Sequence, residues 1–207
     1  MLSNLAQGNL FIVTAASGAG KTSLVKELLA SDSQVKLSIS HTTRQPRMGE
    51  KDGVDYYFVA EKQFLEILNA GGFLENAEVH GARYGTEQAG VDAALHAGFD
   101  VILEIDWQGA AQVRTLYPQS IGIFILPPSV ETLEQRLNSR GQDSSAVIAS
   151  RISAAREEMS HVVEFDYVTI NENFDVALED LIAIIRACRL QAQTQLQRYA
   201  NLIQRLT

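Results

Sequence analysis

Residues 10–30 read Leu10-Phe-Ile-Val-Thr-Ala15-Ala-Ser-Gly-Ala-Gly20-Lys-Thr-Ser-Leu-Val25-Lys-Glu-Leu-Leu-Ala30. The opening run is rich in strand formers. Towards the end, Leu24, Val25, Leu28 and Leu29 fall on one face of a helix. Between these elements lie Ala15, Ala16, Ser17, Gly18, Ala19, Gly20, Lys21 and Thr22, small residues followed by a lysine and a hydroxyl. Strand, small-residue loop and helix are the context that a phosphate-binding P-loop requires. Gly18 and Gly20 let the backbone curl so that successive amides point inward, and the nascent helix adds its positive end. Lys21 is spaced to reach outer phosphates, and the Thr22 hydroxyl is placed to ligate Mg²⁺. Ala15 departs from the pattern G-x-x-x-x-G-K-[ST]; alanine fits the turn if φ stays negative.

The rest of the composition narrows the field. At 207 residues and 46% hydrophobic content, the chain is one large domain or a core with inserted lobes. No stretch reads as a membrane span or secretory signal. The single cysteine, Cys188, excludes an internal disulfide framework, and a cytoplasmic setting fits. A net charge of −8 argues against nucleic-acid binding. It leaves room for an anionic small substrate, because the cationic residues cluster as Arg44 with Arg47, Arg136 with Arg140, and Arg151 with Arg156.

After the loop, Val35–His41 alternates as one strand. The polar segment 42–50 is kept from helix by Pro46, which Arg44 and Arg47 frame. Paired guanidinium donors suit phosphate, although a solvated basic turn has the same composition. Val54–Val59 reads as a strand, Glu61–Ala70 as a helix burying Phe64, Leu65, Ile67 and Leu68, and Phe73–His80 as a strand. Gly81–Gly85 reads as a turn, and Thr86 as the cap of a helix running to His96. Residues 35–96 thus form a mixed α/β lobe between two core strands. Val101–Asp106 is an apolar core strand ending in an acid, with Glu104 two residues earlier on the same face. A helix over 107–116, a strand over 121–126 and a helix from 130 capped by Ser129 follow. The polar stretch 139–145 suits a flap between arginine-bearing helices, or a plain surface hairpin. A strand over 165–170 leads to one long terminal helix burying Leu178, Leu181, Ile182 and Ile185, with a glutamine-rich end. The four histidines have no metal-ligand spacing.

Several motifs stand in one order: Ser17-Gly-Ala-Gly-Lys-Thr22, Ser40-His-Thr-Thr-Arg-Gln-Pro-Arg47, Gly49-Glu50, Asp55-Tyr56, Phe73-Leu-Glu75, Tyr84-Gly-Thr86 and Glu104-Ile-Asp-Trp-Gln-Gly109. This order resembles guanylate kinase over at least residues 10–185. The resemblance implies an α/β P-loop nucleoside monophosphate kinase fold. Its parallel-sheet core would span 1–34 and 97–207, with an inserted GMP-binding lobe over 35–96 and a helical lid at about 138–156. It implies transfer of a phosphoryl group from ATP to GMP with Mg²⁺. By the same resemblance Arg44, Arg47, Tyr56 and Tyr84 hold the GMP phosphate. Ser40, Glu75 and Thr86 read the guanine edge, with Asp106 and Glu104 assisting near base and metal. Thr22 and, through water, Asp106 serve the metal. Lys21, Arg136, Arg140 and Arg151 meet the transferring group, and Asn171 stands on the adenine side. The partners so implied are ATP and GMP, without nucleic acid or membrane, the oligomeric state being open. A non-catalytic interaction module, and a kinase of AMP or a sugar phosphate, are the competing readings. Lys21 with the arginines opposes the first, and Glu75 with Ser40 and Thr86 opposes the second.

Overall fold

The computed structural model describes residues 7–79, 81–138 and 145–207. In chain order the elements are β1 (Leu10–Ala15), α1 (Lys21–Ser31), β2 (Val35–Ser38), β3 (His41–Thr42), β4 (Tyr57–Phe58) and α2 (Glu61–Asn69). Then come β5 (Phe73–Val79), β6 (Ala82–Glu87), α3 (Gln88–His96), β7 (Asp100–Glu104), α4 (Trp107–Leu116), β8 (Ile121–Leu126) and α5 (Val130–Asn138). The chain ends with α6 (Ser145–Ser160), a 3₁₀ turn (His161–Glu164), β9 (Tyr167–Ile170), α7 (Phe174–Arg189), α8 (Ala192–Arg198) and α9 (Ala200–Leu206). None of the described helices is long and apolar enough to cross a membrane.

Five strands make a parallel sheet in the order β2-β7-β1-β8-β9. Its interior strands are apolar on both faces because both faces are covered. Phe11 and Val13 of β1 meet α1 and α7 on one side, through Leu24, Leu28, Leu181 and Ile185. Leu10 and Ile12 meet α3 and α4 on the other, through Val91, Leu95, Ala110 and Val113. A second sheet, β4-β3-β6-β5, places Glu75 of β5 and Tyr84 of β6 on one cleft with Glu104 and Asp106, at the carboxyl end of β7. In an open parallel sheet that is the end at which ligands bind.

Several sequence expectations change here. Val35–His41 is two strands: β2 pairs with β7 in the core, and β3 pairs with β4 and β6 in the second sheet. The core therefore includes residues 35–38, and α3 also packs on it. The strand expected over 54–59 shortens to Tyr57–Phe58, because Gly53 turns at φ 70° and Val54 is solvent-exposed. Gly81, at φ 75°, stands in the hairpin turn, and residues 82–87 form a strand. Gly85 is small for packing: a Cβ there would stand 3.0–3.1 Å from the Phe73 and Phe64 rings. Thr86 does not cap α3; it is fully buried, and Glu87 is the cap. In α2 only Phe64 is fully buried. The terminal helix breaks into three, and the buried stripe of α7 is Ala177, Leu181, Ile185 and Cys188, leaving Ile182 exposed.

Candidate functional site

The loop after β1 closes on itself, with the Ala19 amide donating to the Ala16 carbonyl at 3.0 Å. Gly18 and Gly20 take φ of 92° and 103°, in the left-handed region that favours glycine. At Gly20 a Cβ would also lie 2.3 Å from Asn171 Nδ2. Asn171 is buried, and that amide donates to the Ala19 carbonyl at 2.7 Å. Asn171, expected on the adenine side, is thereby bound to the nucleotide loop. Arg136 is bound likewise, donating to the Ala19 carbonyl at 3.3 Å and the Asn171 carbonyl at 2.9 Å. Arg151 reaches the loop's rim, where Nη2 donates to Ser17 Oγ at 2.8 Å. Arg140 lies outside the described residues.

Lys21 and Thr22 open α1. Lys21 Nζ donates to the Ile105 carbonyl at 3.3 Å, at the end of β7. The Thr22 hydroxyl donates to Glu104 Oε1. Asp106 lies past the end of the strand and caps α4, accepting from the Gly109 amide at 2.8 Å. Glu104 is thus the acid joined to the hydroxyl expected at the metal, while Asp106 is held one step away. Two carboxylates and a hydroxyl are hard oxygen donors, which fits Mg²⁺. They are too few for its octahedral shell, which phosphates and water normally complete. No cluster of three or more His, Cys, Asp or Glu suited to a metal occurs among the described residues.

The second sheet supplies the far wall. Glu75 on β5 is 3% exposed. Thr86 on β6 donates to Glu75 Oε1 at 2.6 Å, and Ser40 Oγ stands 2.9 Å from Thr86 Oγ1. With the Thr86 proton given to Glu75, Ser40 is the donor of the second bond. Burial, reinforced by the Asp106 charge, pushes the Glu75 carboxyl up to about 7 against the Thr86 hydrogen bond. Gly109 makes room for it, since a Cβ there would sit 2.7 Å from Glu75 Oε2. Further out, Arg44 donates to Glu50 through Nη1 at 3.0 Å and Nη2 at 2.8 Å. That bond holds Glu50 below, and Arg44 above, their ordinary pKa values. The Arg47 amide also donates to Glu50, at 2.7 Å. Tyr56 and Tyr84 meet edge to face, centroids 5.9 Å apart, and burial pushes the Tyr56 phenol up to about 12.

These groups share one cleft of about 310 Å³. Loop residues 15–18 and 20–22 line one end; Ser40, Arg47, Tyr56, Glu75 and Tyr84 line the other, with Glu104 and Asp106 between. Arg44, Arg136 and Asn171 stand behind this lining. Three further residues were not foreseen. Gly109 was visible only as part of a motif. Glu50 was visible as a neighbour of two arginines. Glu158, which also lines the cleft, gave no local signal.

The guanylate kinase family model matches residues 7–188. The chain is 66% identical to a guanylate kinase of Methylobacillus flagellatus over 97% of its own length and 99% of that protein's. It is 52% identical to a guanylate kinase of Vibrio cholerae, covering 98% and 99% respectively. Its structure superposes on the crystal structure of guanylate kinase from Anaplasma phagocytophilum with a TM-score of 0.76 and 31% identity, covering 90% of this chain and 89% of that one.

Proposed function

The chain belongs to the guanylate kinase family, whose ATP-dependent reaction converts GMP to GDP, and on that premise we propose how its cleft does so. The supporting observation is the single cleft that runs from the phosphate loop to the buried Glu75–Thr86–Ser40 chain. Guanine offers N1–H and an exocyclic NH₂ as donors and O6 as an acceptor. Glu75 accepts from the donors. Thr86 is committed to Glu75, so the Ser40 hydroxyl turns to O6. Adenine reverses the polarity at that edge, leaving buried groups unpaired, and is rejected.

The nucleotide phosphates divide between the two ends. Arg44, Arg47, Tyr56 and Tyr84 hold the GMP phosphate, Glu50 keeping Arg44 aligned in advance. The loop amides and Lys21 take the ATP phosphates, Lys21 leaving the Ile105 carbonyl to do so. Thr22 and Glu104 would hold the Mg²⁺ that accompanies ATP, with Asp106 beside them, and the ion would supply charge neutralisation at the phosphates. The acceptor phosphate is mostly a dianion at neutral pH, its second pKa being about 6, so no general base is required. Positioning and neutralisation by Lys21 and Arg151 carry the rate. Arg136 supports the loop, and the family resemblance assigns Arg140 the same role as Arg151. Residues of the second sheet form the GMP lobe, which closes on the core and excludes water. Free, buried Cys188 suits the cytoplasmic setting of the enzyme.

ADP release with ATP, Mg²⁺ and GMP, AMP, UMP, CMP or a sugar phosphate in parallel tests this reading. Rapid turnover with GMP alone is expected. Equal use of GMP and AMP would refute base recognition by Glu75 and Ser40.

A further inference from the structure

A carboxylate from α6 rests on the nucleotide loop. Glu158 Oε2 accepts from the Ser17 amide at 3.1 Å. Two turns earlier on the same face, Arg151 binds the Ser17 hydroxyl at 2.8 Å. Between them Ala155, 1% exposed, packs with Ala16 and Leu133. Helix α6 is therefore pinned to one loop residue through both its backbone and its side chain. Glu158 lines the same cleft as Lys21 and Thr22. A loop built to offer amides to phosphate has one of those amides held by an anion of the protein itself.

Building on the kinase reading above, we propose that Glu158 is a positioning residue that serves as the loop's resident anion and sets its relative affinity for ATP and ADP. Without nucleotide, the carboxylate satisfies the Ser17 amide, one of the loop's donors. When nucleotide enters, its phosphates must displace the carboxylate or share the donor with it. Like-charge repulsion makes either outcome costlier as the incoming charge grows, so ATP is penalised more than ADP. Displacement also loosens the face of α6 that carries Arg151, linking arrival of ATP to release of that arginine. Glu157 provides the internal comparison: it is exposed on the same helix, with the same charge.

Calorimetric titration of the full chain with ATP, ADP and GMP tests the proposal, using wild type, Glu158→Gln, Glu158→Ala and Glu157→Gln. Glutamine keeps an acceptor oxygen for Ser17, so that variant tests charge with the contact retained. Both Glu158 variants are expected to bind ATP about fivefold tighter or more, to gain less with ADP and to bind GMP unchanged. The gain should shrink as salt is raised. Glu157→Gln should stay within about twofold of wild type, its charge lying off the loop and screened by solvent. A merely structural role would weaken every nucleotide and lower the melting temperature. Unchanged or weaker ATP binding by Glu158→Gln overturns the proposal, as does an equal gain for ATP and ADP, or the same gain in Glu157→Gln. If wild type still phosphorylates GMP, that failure belongs to Glu158 alone. Wild type that binds neither ATP nor GMP overturns the kinase reading and this proposal with it.

Discussion

Glu75 ionises against its surroundings. Its carboxyl titrates at about 7 in the fold, against an ordinary value of 4.5. An acid raised in this way contributes its full stability below pH 4.5, and the contribution is lost as pH rises through about 7. Above that pH the ionised, ligand-free site costs on the order of 3 kcal/mol, because each tenfold change in proton affinity is worth about 1.36 kcal/mol. Glu75→Gln should therefore raise the melting temperature of the ligand-free protein at pH 8 and leave it nearly unchanged at pH 4, as thermal denaturation at both values would reveal. The same variant should lose roughly 100-fold in kcat/KM for GMP, since an amide cannot accept from both guanine donors. In wild type the KM for GMP should fall between pH 6 and 8 as Glu75 ionises. The GMP phosphate titrates in that range too, so the part of the profile missing from Glu75→Gln is the part due to Glu75. Gly109 gives a second test. A methyl group there meets Glu75 Oε2 at 2.7 Å, and the flexible carboxylate can move aside. Gly109→Ala should hold or raise stability, since alanine gains about 1 kcal/mol over glycine in a helix. Its KM for GMP should rise about tenfold, the worth of a weakened hydrogen bond. A lowered melting temperature with an unchanged KM would show that Gly109 serves helix packing alone.

The phosphate loop was legible as an element because its determinants are local. Small residues, the Lys21-Thr22 pair and the flanking strand and helix all fall within residues 10–30. Strand β8 and helix α4 were equally legible from apolar pattern and length. Sheet membership was not. Alternation reports a period of two residues but not a partner, so the crossing between sheets at 39–40 left no mark in Val35–His41. The hairpin β5-β6 was missed because Gly85 reads as a turn residue, whereas its small size serves the Phe64 and Phe73 rings. At the site, Glu75, Ser40 and Thr86 enter as candidates through motif resemblance. Pattern alone would have placed Thr86 at a helix cap. Glu158 stands 141 residues from Ser17, and a glutamate on a helix carries no sign of what it will touch. The loop's rigidity is likewise a property of assembled elements, since Asn171 after β9 and Arg136 of α5 both bind the Ala19 carbonyl. Gly20→Ala would place a methyl group 2.3 Å from Asn171 Nδ2, at a φ of 103°. Turnover should fall at least 100-fold through the KM for ATP, because one ångström of misplacement costs about that much. Titration with GMP alone should be unaffected; joint loss of GMP binding would place the damage beyond the loop.

At the scale of the molecule, the core is closed by an ion cluster that lines no part of the cleft. Arg189, at the end of α7, donates from Nε to Asp100 and from Nη1 to Asp32, both at 2.6 Å. The Asp100 side chain is 3% exposed and also accepts from the Asn9 amide at 2.7 Å. One guanidinium thus ties the last helix of the core to the loop after α1 and to the first residue of β7. Replacing it with alanine strands a buried carboxylate, a loss of about 3–5 kcal/mol. Helices α8 and α9, by contrast, contain no buried residue. Deleting the chain from Ala192 onward should cost less than about 1 kcal/mol, as expected when little is buried. Chemical denaturation should therefore separate Arg189→Ala sharply from the deletion, while KM for both nucleotides stays at wild-type values in each, because neither change touches the cleft. If the deletion proved as damaging as Arg189→Ala, α8 and α9 would have to contribute through an interface outside a single chain, and the dependence of stability on protein concentration would then reveal it.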